Sequence, residues 1–255
     1  MYPDELFLGI HLYGVMIAVG ILACFLTLFY MGKKKCVNPN FTDFVFYNAI
    51  IAIALGFFAA ALFQATYNYI EHPEQGFNLK GGITFIGGLI GGIASFLIIY
   101  FIFRKKLSGR LVDIIAIAPS CIIIAHAFGR IGCAFAGCCY GVEVESGIAM
   151  FNNGAWRFPT QLLEAGFLFL LYIVLTYLVL KKDFKYTLPL YLFFYGVFRF
   201  VIEYFRADAR GSVGINAISP SQFWSILMVV SSVAVTFILK YAFKKDKLTN
   251  KAENE

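Results

Sequence analysis

The chain has 255 residues, of which 60% are hydrophobic and only 14% are charged, against roughly a quarter charged in an average soluble domain. This composition excludes an ordinary soluble globular protein and indicates that lipid surrounds most of the chain. The formal charge of +6 does not indicate nucleic-acid binding, because the basic residues stand in short clusters between apolar runs.

The chain in sequence order predicts seven helices that cross the membrane. Residues 1–5 carry Asp4 and Glu5 and no Lys or Arg, whereas a cleaved signal peptide begins with a basic region, so the first apolar run is expected to stay in the protein. Each apolar run is long enough to cross a hydrocarbon core of about 30 Å. The predicted helices cover residues 6–29, 44–67, 83–103, 111–135, 161–180, 186–205 and 223–243.

The loops between these runs alternate in charge. An excess of Lys and Arg marks the cytoplasmic side of a membrane protein. All seven predicted crossings then agree on an N-terminus outside and a C-terminus in the cytoplasm. We expect one transmembrane domain over residues 1–243 and a polar cytoplasmic tail over 244–255, in the bacterial inner membrane. The basic clusters are Lys33, Lys34 and Lys35; Arg104, Lys105, Lys106 and Arg110; Lys181, Lys182 and Lys185; and Lys240, Lys244, Lys245, Lys247 and Lys251.

Two arginines, Arg130 and Arg199, lie inside apolar segments, where a charge costs at least ~2.5 kcal/mol on insertion scales. In the sixth helix, Arg199, Glu203 and Arg206 stand at i, i+4 and i+7 and therefore share one face. Glu203 offsets part of the cost of burying Arg199, and the second arginine leaves positive charge that could hold a phosphate. The alternative is an ion pair at the end of a helix.

The fourth helix ends around the other buried arginine, Arg130, between Gly129 and Gly132. These glycines allow close backbone approach or a break in the helix. At 1.5 Å per residue, Arg130 and Arg199 lie at a similar depth, within roughly 10 to 15 Å of the outer face. His126 is one turn deeper, either as a neutral hydrogen-bonded imidazole or as a general base.

Two further groups lie towards the same outer side. Gly87 and Gly88 belong to a glycine run that favours tight helix packing over phosphate binding. His11 and Tyr13 begin the first helix, where an interfacial aromatic belt is favoured over headgroup binding.

The six cysteines have no paired CxxC spacing, so the sequence predicts neither a zinc nor a redox motif. Cys138 and Cys139 are adjacent. They are open to three interpretations, a vicinal disulfide, a nucleophile or packing residues, and an oxidising compartment would permit the bond.

Five ordered segments together resemble the prolipoprotein diacylglyceryl transferase family over most of the chain. They are HLYG at 11–14, GITFIGGLIGG at 82–92, GRIG at 129–132, RFPTQLLE at 157–164, and YGVFR at 195–199 continuing to EYFR at 203–206. The resemblance implies a seven-helix inner-membrane enzyme, free of cofactor and metal, that moves a diacylglyceryl group from phosphatidylglycerol to the lipobox cysteine of a prolipoprotein. It further implies that Arg130 and Arg199 bind the phosphate, with Glu203 and Arg206 holding the site in shape.

The chain departs from the family pattern at the position of the catalytic histidine. Ile86 stands where members usually have His, Cys133 where they have Asn, and Ala136-Gly137-Cys138 where they have Asn-Gly-Glu. Because Ile86 cannot take a proton, we nominate His126 as the substitute base.

Two other functions stay open at this point. One is a transferase of the same fold with a different acceptor, which the altered segment from Cys133 to Cys139 would explain. The other is a carrier or binder of an anionic lipid, because buried arginines and glycine-broken helices suit transport as well.

Overall fold

A computed structural model describes residues 11–152, 154–207 and 218–252. Its eight α-helices are α1 (Leu12–Lys34), α2 (Pro39–Glu71), α3 (Phe85–Phe103), α4 (Leu111–Ile114), α5 (Ala118–Ala136), α6 (Thr160–Lys182), α7 (Thr187–Ile202) and α8 (Pro220–Ala252). Three short 3-10 helices, Pro73–Gln75, Arg104–Lys106 and Glu203–Phe205, and a two-stranded hairpin, β1 (Met150–Asn152) with β2 (Ala155–Arg157), complete the described elements.

All of these α-helices except α4 are long and apolar enough to cross a membrane. Large apolar side chains are exposed on them, as at Leu26 (61%), Leu170 (60%) and Phe237 (67%), where a soluble bundle would present polar residues. The predicted all-α, multi-pass membrane fold is confirmed. The orientation of the termini stays a prediction, and the predicted start of the first helix at Leu6 lies outside the described residues.

The prediction of one continuous helix over residues 111–135 is wrong. The chain forms α4 and α5 instead, with residues 115–117 between them. Pro119 lies in the first turn of α5. A proline inside a helix removes an N–H donor and clashes with the preceding turn, but it fits the first turn, so the helix restarts there.

The ends of the last two helices also differ from the predicted bounds. After Ile202 the chain tightens into the 3-10 helix Glu203–Phe205, so Arg206 follows the helical segment. The α8 backbone continues past Phe243 to Ala252, so helix reaches into the predicted polar tail. The predicted domain boundary at residue 243 stays a prediction.

The chain divides into two compact units, one being Cys36–Arg110 and the other Met1–Lys35 with Leu111–Glu255. In the first unit, α3 packs on α2 through glycines. A Cβ on Gly91 would lie 2.3 Å from Ala59 Cβ, and one on Gly87 would lie 2.6 Å from Phe63 Cβ. Small residues that let two backbones approach are typical of helix contacts in lipid, where van der Waals packing contributes to association.

In the other unit, α5 lies among α1, α6 and α7, and α7 packs on α8. Its buried apolar cluster includes Ile123, Ala127, Leu168, Leu175 and Tyr195. This cluster packs α5, α6 and α7 against one another, and these three helices also carry buried polar residues.

Candidate functional site

A buried carboxylate, Glu164, lies near the start of α6 between two arginines. Its side chain is 0% exposed. Arg130 Nε lies 3.1 Å from Glu164 Oε1, and Arg206 Nη1 lies 4.0 Å from Glu164 Oε2. Because an isolated buried charge is very costly, each of the three groups lowers the cost of burying the others.

Tyr195 and His126 extend this group. The Tyr195 hydroxyl donates to Glu164 Oε1 at 2.7 Å and lies 3.4 Å from His126 Nε2, with the two rings edge to face. Since the hydroxyl proton goes to Glu164, the phenol oxygen is left to accept from Nε2–H. We infer that tautomer for a neutral His126, which leaves Nδ1 as an acceptor.

Arg199 forms a second ion pair one helix away. Its Nη2 lies 2.9 Å from Glu203 Oε2 and donates to Ser221 Oγ at 2.9 Å. Ser219 Oγ donates to Glu203 Oε1 at 2.9 Å, and Arg206 Nε lies 3.9 Å from Glu203 Oε2. The beginning of α8 thus brings two serines onto the end of α7.

Arg206 joins the two pairs, because it lies near both Glu164 and Glu203, and Glu164 also attracts both Arg130 and Arg199 electrostatically. Among the described residues, this network holds three guanidinium groups and two carboxylates. Arg199 Nη1 is buried and has no hydrogen-bond partner in the described part of the chain. The network therefore carries one surplus positive charge and a buried donor, which suits an anion such as a phosphate.

The structure brings together five residues that the sequence singled out: Arg130, Arg199, Glu203, Arg206 and His126. Their chemical roles stay predictions. The alternative of an isolated ion pair at a helix end does not describe Arg199 and Glu203, because Arg206 links them to Glu164.

Tyr13 lies near the same group. A Cβ on Gly132 would lie 3.2 Å from Tyr13 Cδ2, so this glycine lets α1 approach α5 just beyond Arg130. His11 is exposed and precedes α1. Binding of a headgroup by either residue stays a prediction.

Gly87 and Gly88 lie in the other unit, against α2. A Cβ on Gly88 would lie 3.3 Å from Ala60 Cβ. This geometry supports the packing interpretation, and a role for these glycines in binding substrate stays a prediction.

Sequence reasoning missed Glu164 and Tyr195 as site residues. The sequence did indicate Glu164, because an acidic residue inside the apolar run 161–180 is costly and therefore points to a function. Tyr195 gave no such signal, since tyrosine is common in membrane helices near the membrane–water interfaces. Ser219 precedes α8 and Ser221 lies in its first turn, where serine is common as a capping residue and indicates no function.

The segment after α5 brings three cysteines together. Gly137 ends the helix in the left-handed conformation, with φ of 71°, and the Cys138 N–H donates to the Cys133 carbonyl at 3.2 Å. Cys139 is also left-handed, with φ of 62°. The Sγ atoms of Cys133, Cys138 and Cys139 all lie within 4.8 Å of one another.

All six cysteines of the chain lie in the described residues, and each is a thiol rather than half of a disulfide. Hydrogen bonds from the Cys133 and Cys138 thiols, with the positive charge of Arg206, hold the pKa of the Cys139 thiol below its usual value. The cysteine spacing did not predict this cluster, because the chain reversal at Gly137 forms it.

Three peptide carbonyls of this segment are fixed by buried side chains. Asn152 Nδ2 donates to the Gly137 carbonyl at 3.1 Å, Gln161 Nε2 to that of Cys138 at 2.6 Å, and Thr160 Oγ1 to that of Cys139 at 2.8 Å. The thiols are therefore held by a rigid backbone.

Comparison with known proteins agrees with the resemblance seen in the sequence. The family model described as prolipoprotein diacylglyceryl transferase matches residues 5–238. A relative from Clostridium tetani named phosphatidylglycerol–prolipoprotein diacylglyceryl transferase is 35% identical over 91% of this chain and 94% of its own length. Proteins of the same name from Francisella tularensis subsp. tularensis are 32% identical over 97% of both chains. One from Clostridium perfringens, with the number 2 added to that name, is 29% identical over 94% of both. The chain therefore belongs to the prolipoprotein diacylglyceryl transferase family.

Proposed function

We propose that this protein transfers the diacylglyceryl group of phosphatidylglycerol to the lipobox cysteine thiol of a prolipoprotein and releases glycerol phosphate. The names of its relatives support this enzymatic activity and both substrates. We further propose that it works in the bacterial inner membrane, with its N-terminus outside, as the loop charges indicate.

The single observation that carries the proposal is the buried, positively charged network of Arg130, Arg199 and Arg206 with Glu164 and Glu203. A headgroup phosphate would neutralise its surplus charge and accept from Arg199 Nη1. A binding site for a phospholipid headgroup needs such donors within the membrane, where water is scarce.

The reaction forms one C–S bond and breaks one C–O bond. The acceptor thiolate attacks the glyceryl carbon that carries the phosphate, and the electron pair of the C–O bond passes to the phosphate oxygen. Charge grows on that leaving phosphate in the transition state. Arginine side chains that are already in position in a water-poor site stabilise this charge, because they do not have to reorient when the transition state forms.

His126 is the base that we propose for the acceptor thiol. Its Nδ1 is available in the tautomer inferred above, and the Tyr195 hydroxyl links its Nε2 to Glu164. Burial and the charges of Arg130 and Arg199 oppose the imidazolium that forms when the proton arrives, whereas Glu164 attracts it.

We expect His126→Ala to reduce transfer about 100-fold at pH 7, the typical contribution of a general base. The deficit should shrink above about pH 8.5, where a free thiol ionises without help. The measurement is the rate of peptide lipidation from pH 6 to 9.5. Full activity of the variant at pH 7 would remove His126 from the mechanism.

The proposed function itself is tested with purified protein, phosphatidylglycerol labelled in its diacylglyceryl moiety, and a lipobox peptide. We expect labelled peptide and glycerol phosphate in equal amounts. A peptide with Ser in place of the lipobox Cys is the control and should stay unlabelled. Bound lipid without either product would instead indicate a carrier.

A further inference from the structure

The reaction proposed above does not use the three thiols of Cys133, Cys138 and Cys139. They lie on the described segment that follows Arg130, and each is at least partly accessible. Three thiols in one place are an unusual arrangement for packing residues, and three is an odd number for disulfides.

The sulfur positions suit a metal ion better than a disulfide. A tetrahedral zinc ion with Zn–S bonds near 2.3 Å holds its sulfur atoms about 3.8 Å apart. The three Sγ atoms, within 4.8 Å of one another, need to close by at most about an ångström to reach that spacing. A disulfide requires sulfur atoms about 2 Å apart and would leave one of the three cysteines unpaired.

The backbone that carries the thiols is fixed in advance. The side chains of Asn152, Thr160 and Gln161, each at most 5% exposed, hold the three successive carbonyls of residues 137–139. Cys139 also adopts a left-handed conformation that residues with side chains rarely take, and its sulfur lies beside the other two. Outer contacts of this kind orient the ligands in metal sites.

Positively charged side chains lie close to the cluster. Arg206 donates a hydrogen bond to the Cys139 sulfur, and Arg130 interacts electrostatically with Cys133 and Cys139. Three thiolates and one divalent ion carry a net charge of −1. The guanidinium groups of Arg130 and Arg206, which also pair with Glu164, attract that charge.

We propose that Cys133, Cys138 and Cys139 bind one zinc ion through their sulfur atoms and leave its fourth position for the thiol of the acceptor substrate. Three protein ligands and one open position are the usual composition of a catalytic zinc site. The zinc-binding part stands on the geometry alone, whereas the role of the fourth position rests on the proposed function.

Zinc binding comes before the transfer step. Three cysteine protons are released to solvent when the ion binds, and water fills the fourth position. The acceptor thiol displaces that water and its sulfur binds zinc as a thiolate. The departing water takes up the thiol proton and delivers it to His126, the base proposed above. The zinc-bound sulfur then attacks the glyceryl carbon, and the C–O bond breaks with its electron pair going to the departing glycerol phosphate. The resulting neutral thioether leaves the ion because it is a weaker ligand than a thiolate, and water refills the fourth position.

Titration of the full chain in detergent tests the metal site directly. Under reducing conditions, we expect one equivalent of Zn²⁺ to bind per chain, measured by competition with a chromophoric chelator. Cd²⁺ should give an ultraviolet thiolate-to-metal charge-transfer band that saturates at the same stoichiometry. No band, or a Cys138–Cys139 disulfide as the resting state of the unreduced protein, would overturn the proposal.

Matched cysteine variants locate the site. Cys133→Ser, Cys138→Ser and Cys139→Ser should each weaken Zn²⁺ binding at least tenfold and reduce the Cd²⁺ band. Cys36→Ser is the control, because Cys36 is exposed and lies in the other compact unit. It should bind as the parent chain does, and equal binding by all four variants would place the metal elsewhere and refute the assignment.

Activity measurements separate this inference from the proposed function. Chelation should reduce lipidation at least 100-fold, and Zn²⁺ should restore it. Full transfer by the metal-free protein would refute the role of the ion and leave the transferase intact. Zinc binding at the cluster without transfer under any condition would refute the transferase and leave the metal site intact.

Discussion

Glu164→Gln is expected to reduce lipid transfer by at least 100-fold and to destabilise the protein by about 3–5 kcal/mol, the usual cost of breaking a buried ion pair from one side. The substitution keeps the size of the side chain and an oxygen that can accept from Tyr195. It leaves Arg130, Arg199 and Arg206 with Glu203 as the one carboxylate of the network among the described residues. The measurements are the lipidation rate and the free energy of unfolding in mixed micelles.

Glu143→Gln is the matched control for that change. Glu143 also pairs with an arginine, Arg157, at 2.6 Å, but its side chain is 65% exposed. Exposed pairs contribute at most about 1 kcal/mol, so the control should lose neither activity nor much stability. If the Glu164 variant matched the Glu143 variant in both measurements, the buried network would not be the functional centre.

Arg199→Leu is expected to lower the turnover number by 10²- to 10³-fold, a magnitude typical of removing one donor from a developing negative charge. The same change removes the buried Nη1 donor that we assign to the phosphate. Arg199→Lys keeps the charge but loses the planar, two-pronged donor geometry, so it should recover only part of the rate. The assay is release of glycerol phosphate at saturating phosphatidylglycerol.

The control for Arg199 is Arg104→Leu, which removes an exposed arginine that stacks on Phe101. It should leave turnover unchanged. An Arg199→Leu variant that bound phosphatidylglycerol less tightly but turned over at the parental rate would mean that Arg199 holds the ground state and not the transition state.

The transmembrane segments were predictable because burial in lipid demands long apolar runs, and these are visible in the sequence alone. Pro119 indicates the break between α4 and α5, but the apolar run continues across that break, so hydropathy did not reveal it. Hydropathy measures solvent preference and does not sense the backbone geometry that a proline allows.

The arginines of the site were predictable for the same physical reason, since a charge in an apolar run stands out. The pairing of Arg199 with Glu203 followed from helical periodicity. The contacts of Ser219, Ser221 and Glu164 did not follow, because they depend on how separate helices meet. The thiol cluster depends on a left-handed turn at Gly137, which cysteine spacing does not report.

The length of α2 has a consequence for its position in the bilayer. Its 33 residues extend about 50 Å, and a hydrocarbon slab of about 30 Å could contain them only at a tilt of more than 50°. Known tilts reach about 40°, at which some seven residues still stand outside the slab. The last two turns of α2 contain Asn68 and Glu71, and Gln64 stands just before them. Gln64 and Asn68 hydrogen-bond to each other and to the residues that precede α3. This overhang should sit in the headgroup layer, so the polar residues there are solvated by water and lipid phosphates rather than by acyl chains.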